Sequence, residues 1–100
     1  MSRRPSIPIA CTLTPDGAAA QAGEWAELRT HLIEASEVPD GRRLVFPSRF
    51  REHVHDLARR EATWCAFLTL EVTDSDQTVS VEITSADPAA APVIAYLADG

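Results

Sequence analysis

The stretch FLTLEVTDSDQTVSVEIT, residues 67–84, decides the fold. From Ala66 onward, Leu68, Leu70 and Val72 alternate with Phe67, Thr69, Glu71 and Thr73. After DSDQ at 74–77, Val79, Val81 and Ile83 repeat the alternation. Side chains along a strand point to opposite faces in turn, so each run has one apolar face. The polar tetrapeptide between them is a hairpin loop. An antiparallel pair with one apolar face needs a second layer to cover it.

Working back from the hairpin, the period changes from two to that of a helix. Ser48 can cap a helix whose inward stripe is Phe50, Val54, Leu57, Ala58 and, continuing, Glu61 and Cys65. VPDG at 38–41 is a turn signal, and Arg42 to Phe46 reads as a short strand closed by Pro47. Thr14 followed by Pro15 reads as the start of a helix running to about Glu37. Ala18, Ala22, Trp25, Leu28, Leu32 and Ala35 form its inward stripe, with Trp25 as the anchor. Before it, Ile7, Ile9, Cys11 and Leu13 alternate with polar or small residues as in a strand, and Pro8 assigns that strand to a sheet edge. Beyond the hairpin, Asp87 and Pro88 open a last helix with Val93, Ile94 and Leu97 inward and Pro92 in its first turn. The expected order is β-α-β-α-β-β-α. The expected fold is α+β, a two-layer sandwich of a small, mostly antiparallel sheet with helices on one face.

The 100 residues suffice for one domain with one modest core, so residues 1–100 are read as a single domain with 1–5 disordered. A hydrophobic fraction of 45% with 24% charged residues is that of a folding globular chain. All nine cations are arginine, and alanine supplies sixteen residues, the coding bias of a GC-rich genome. The net charge of -6 argues against a general nucleic-acid surface. The charge is uneven: residues 42–60 carry six arginines against Glu52 and Asp56, while 61–100 hold seven acids and no base. The expectation is that the basic segment packs beside acidic ones. The N-terminal MSRRPSIPIACTL lacks an apolar run long enough for a signal or a membrane span, so a cytoplasmic protein without a membrane partner is expected. In that compartment the two cysteines are expected as free thiols.

No catalytic constellation emerges. His53 and His55 in EHVHD stand two apart on a helix, on different sides, and cannot share a metal there; His31 falls off the first helix's stripe and is expected to be exposed. No nucleophile has a visible base and orienting acid, and no glycine-rich phosphate loop occurs, so no enzyme is expected. What remains is Cys11, Glu61 and Cys65, all expected to point inward, with Glu61 and Cys65 one helical turn apart. A buried carboxylate needs an arginine, a capping role, a metal or a proton. Two thiolates converging beside it permit linear coordination of a soft ion, mercury(II) or copper(I). The competing reading has the helix fraying at Glu61 and both sulfurs acting as small core hydrophobes.

These residues carry a resemblance. CTL at 11–13, the helix around Trp25, and Glu61, Cys65, Phe67 and Leu68 followed by a VSVEIT strand resemble a small, largely uncharacterised bacterial family. Its members are similar in reading a glutamate, then a vicinal cysteine pair, then a residue and Phe-Leu. The same module is also seen as a tail of mercury-responsive-type transcriptional regulators. The resemblance implies a non-catalytic accessory to soft-metal resistance, with Cys11, Glu61 and Cys65 as metal ligands and a regulator or other protein as partner. Trp64 stands where the first cysteine of the pair belongs, which removes one possible thiol ligand. Two functions of different class follow: a thiol-based soft-metal binding or sensing module, and a structural or protein-interaction domain whose cysteines are core packing.

Overall fold

The computed structural model describes residues 15–99. In chain order these are helix α1 (Pro15–Arg29), strands β1 (Glu34–Val38) and β2 (Gly41–Pro47), a 3-10 turn (Ser48–Phe50), helix α2 (Arg51–Trp64), strands β3 (Thr69–Asp74) and β4 (Thr78–Thr84), a second 3-10 turn (Pro88–Ala90) and helix α3 (Ala91–Asp99). The fold is α+β. The strand expected over Ile7 to Leu13, the Thr14 cap and residues 1–5 lie outside the described residues.

The hairpin of β3 and β4 forms in the expected register, with Leu70 opposite Ile83 and Val72 opposite Val81. Its loop closes with Ser75 N–H donating to Thr78 O at 2.8 Å. All four strands join one antiparallel sheet in the order β1-β2-β4-β3. β2 and β3 therefore run parallel with β4 between them, and α2 makes the crossover.

The first helix departs from expectation. It stops at Arg29, and residues 34–37, expected at its end, belong to the strand Glu34–Val38. The tightened end explains where it stops: Thr30 N–H and Thr30 Oγ1 both reach Glu27 O, and His31 N–H and Leu32 N–H bond the carbonyls three residues back. Ile33 N–H then donates to Val45 O at 2.8 Å, and the chain enters the sheet. VPDG is thus the loop of a hairpin, pairing Val38 with Gly41 across Pro39 and Asp40. Asp40 takes φ of 67°, a left-handed value that a short polar side chain tolerates. Gly41 is required by close approach: a Cβ there would stand 1.9 Å from the Ile83 carbonyl oxygen and 2.8 Å from Thr84 Cα.

The side chains of one sheet face, Leu44 and Phe46 on β2 and Val79, Val81 and Ile83 on β4, are fully buried. They form one core with Val54, Leu57 and Ala58 of α2, Val93, Ile94 and Leu97 of α3, and Trp25 and Leu28 of α1. Leu70 and Val72 pack against its margin. Leu44, Phe46, Val79, Val81 and Ile83 share one face with the helices, and the architecture is two layers, while Val45, of the other parity, is buried outside that cluster. Arg43 and Glu82 face each other on the opposite side. Asp87 opens the turn into α3 by accepting from Ala89 N–H at 2.9 Å, as its position before Pro88 implies.

A helical stripe was expected to include Phe50, yet Phe50 closes the 3-10 turn and is half-buried, with no side-chain cap from Ser48. Its ring lies 4.4 Å from that of His31, which is accordingly half-buried rather than exposed.

Candidate functional site

Glu61 sits in the last turn of α2 with 4% of its surface exposed, so the fraying that would let its carboxylate reach water does not occur. Its position follows from the stripe: Val54, Leu57, Ala58 and Glu61 recur at spacings of three or four and face the core together. Cys65 caps the helix, its N–H donating to Glu61 O at 2.8 Å, and is 1% exposed.

The donors that the carboxyl meets are an indole and an amide, neither of them an arginine. Trp25 Nε1 donates to Glu61 Oε1 at 2.9 Å, and Gln21 Nε2 donates to the same oxygen at 3.1 Å. Gln21 and Trp25 stand four apart on α1, hence one above the other on the face turned to α2. Both are buried, Trp25 completely. The sequence placed Trp25 correctly as an anchor but gave its indole no polar role, and Gln21 was missed altogether. The signal for it was a polar residue one turn before Trp25, on the same face.

The second carboxyl oxygen, Oε2, lies 3.3 Å from Cys65 Sγ. Cys65 is disulfide-bonded, which overturns the expectation of a free thiol. The sequence contains one other cysteine, Cys11, which lies outside the described residues. A disulfide sulfur carries no proton, so the sulfur is not the donor in this contact.

A polar network extends outward from Glu61. Gln21 Oε1 accepts from Arg60 Nη1 at 3.3 Å, and Arg60 grips Glu24 with both terminal nitrogens at 2.8 and 2.7 Å. Arg60 Nε also donates to Asp56 Oδ2 at 3.0 Å. The two-pronged Arg60 pair holds the Glu24 carboxyl down at about 2, with His53 at 3.4 Å adding to the effect against partial desolvation. The same pairing pushes Arg60 further up.

Among the described residues four further arginines meet acids. Arg42 pairs with Asp99, Arg43 with Glu82, Arg51 with Asp74 and Arg59 with Asp56, while Arg29 donates to Leu97 O. Arg49 stacks on the Phe50 ring at 4.7 Å. The basic segment therefore packs beside acids, as its composition suggested. His53 and His55 meet different acids, Glu24 and Asp74. Among the described residues no group of three or more histidine, cysteine or acidic side chains could hold a metal ion. No helix among them is long and apolar enough to cross a membrane.

Of the three expected site residues, the structure brings Glu61 and Cys65 together, and Cys11 lies outside its described part. Trp64 is half-buried against the core. No protein-family model matches the chain, and no curated protein or solved structure matches it either.

Proposed function

We propose that this protein is a small binding or accessory module without catalysis of its own, in which Cys65 and Cys11, once reduced, take a soft metal ion beside Glu61. One observation carries the reading: the sulfur of Cys65 is engaged by a second sulfur and faces a buried carboxyl at 3.3 Å. Sulfurs able to bond one another are near enough, after reduction, to share an ion that accepts two thiolates in line. Mercury(II) and copper(I) are the ions whose softness fits such a pair. A cytoplasmic location and a regulator or similar protein as partner belong to the same reading.

A second reading is a structural or protein-interaction domain without a ligand. It is favoured by the 1% exposure of Cys65 within the apolar cluster and by the tryptophan at position 64. Titration of the reduced protein with mercury(II) or copper(I) alone separates the two. Uptake of one equivalent by the wild type, lost in Cys11→Ser and in Cys65→Ser, supports the metal reading. Equal uptake by all three proteins places the metal elsewhere, and no uptake leaves the structural reading.

A further inference from the structure

We infer that the groove between the β1–β2 hairpin and the start of α3 is a binding site for a small aliphatic polyamine. The groove has a volume of about 490 Å³, in the range of small-molecule sites. Its lining comes from three places: the hairpin around Asp40, the connection 85–88 and the first turns of α3. Hydrogen bonds brace these parts against one another. Ser85 N–H donates to Asp40 O at 3.2 Å, and Asp87 N–H donates to Ser85 Oγ at 3.1 Å. The shape is therefore formed before a ligand arrives, as such sites usually are.

The chemistry of the lining selects the ligand. Its side-chain donors are already spent: Ser85 Oγ donates to Phe67 O at 2.8 Å, and Arg42 turns to Asp99, which does not line the groove, at 2.9 Å. Three carboxylates remain, Glu37, Asp40 and Asp87. Among the described residues none of the three has an arginine or histidine in an ion pair with it. Asp87 commits one oxygen to Ala89 N–H and keeps the other. A lining of acceptors is answered by a ligand made of donors, and an ammonium group has N–H donors and no acceptor. Three carboxylates in one groove favour more than one such group. Most of the remaining lining is apolar: Val38, Pro88, Ala91, Ile94 and Ala95. These carbons match the methylene chain of a polyamine and offer nothing to a bare, strongly hydrated metal ion.

The groove shares no residue with the Glu61 and Cys65 site, so this inference stands whether or not a metal is taken up there. Its test is a titration of the full chain at low salt with butane-1,4-diamine, two ammonium groups on four methylenes, followed by amide chemical shifts. Saturable shifts are expected over residues 37–42, 85–88 and 91–95. Magnesium(II) carries the same charge without the carbon body. Burial of half the methylenes predicts that the diamine binds about tenfold tighter than magnesium(II), a comparison that needs no variant.

Glu37→Gln, Asp40→Asn and Asp87→Asn each remove one charge and keep the local structure, since asparagine takes left-handed backbone and caps helices as aspartate does. Combined, the three are expected to weaken diamine binding by more than about tenfold. Glu71→Gln, on the other face of the sheet opposite Glu82, removes the same kind of charge and should leave the affinity within about twofold. Absence of saturable diamine binding overturns the inference, as does magnesium(II) binding as tightly as the diamine. A triple variant within about twofold of the wild type, or E71Q losing as much as the triple variant, also overturns it.

Discussion

Replacing Trp25 by phenylalanine removes a donor from a buried carboxyl while keeping an aromatic ring in the core. The indole N–H reaches Glu61 Oε1 at 2.9 Å, and Trp25 has no exposed surface. A hydrogen bond to a charged group contributes about 1.5–3 kcal/mol, and an acceptor stranded in the interior loses that amount. The smaller ring leaves space that α1 and α2 close only in part, adding about 1–2 kcal/mol. Together Trp25→Phe should cost about 3–4 kcal/mol, a large share of the stability of a domain this size. The melting temperature should fall by about 15 °C or more. Urea unfolding followed by far-ultraviolet circular dichroism measures the change without relying on tryptophan emission. Glu61→Leu alone strands Trp25 and Gln21 in the same way. Trp25→Phe with Glu61→Leu removes both ends of the bond, so the pair should cost less than the sum, with a coupling of about 1.5 kcal/mol. A single-variant cost under about 1 kcal/mol, or an additive cycle, would show that the indole does not hold the carboxyl.

Two further expectations concern other parts of the fold. Gly41→Ala places a methyl 1.9 Å from the Ile83 carbonyl oxygen, and backbone on both strands must part to admit it. A loss above about 3 kcal/mol in the same unfolding assay is expected, and a cost under about 1 kcal/mol contradicts the close approach. The Glu24–Arg60 pair has a pH signature. Its carboxyl is lowered from 4.5 to about 2 in the folded chain, so its contribution is complete above 4.5 and is lost as pH falls toward 2. With 36% of the Glu24 side chain in solvent, screening limits it to about 1 kcal/mol or less. The wild type should therefore lose more stability across that window than Arg60→Gln does; parallel curves would remove the pair from the account.

How far the sequence reveals the molecule depends on whether a signal is local. The alternation over 67–84 and the stripe from Val54 to Glu61 are written in spacing alone, and both elements appear where that spacing puts them. The end of α1 is not, because Leu32 and Ala35 continue the helical stripe beyond the residue where it stops. What ends it is the Thr30 turn and the ladder from Ile33 to Val45, a pairing that exists only after β2 has formed. For Glu61 the helix predicted its burial correctly. Its donors come from positions 36 and 40 residues away, where nothing in local spacing announces them. The bond at Cys65 is illegible for a different reason, since the oxidation state of a sulfur is not written in the spacing of the residues around it.

The attachment of α1 has a consequence for the order in which the molecule comes apart. Among its described side chains only Gln21, Trp25 and Leu28 are buried, and the rest of its grip is polar: Glu24 to Arg60, Gln21 and Trp25 to Glu61, and Arg29 to Leu97 O. The sheet and α2, by contrast, share a continuous apolar interior. A helix held mainly by hydrogen bonds and ion pairs belongs to the low-energy end of local opening, so its amides exchange with solvent while those of β2 and β4 stay protected. The clasp around Glu61 is then the seam along which the native state first opens.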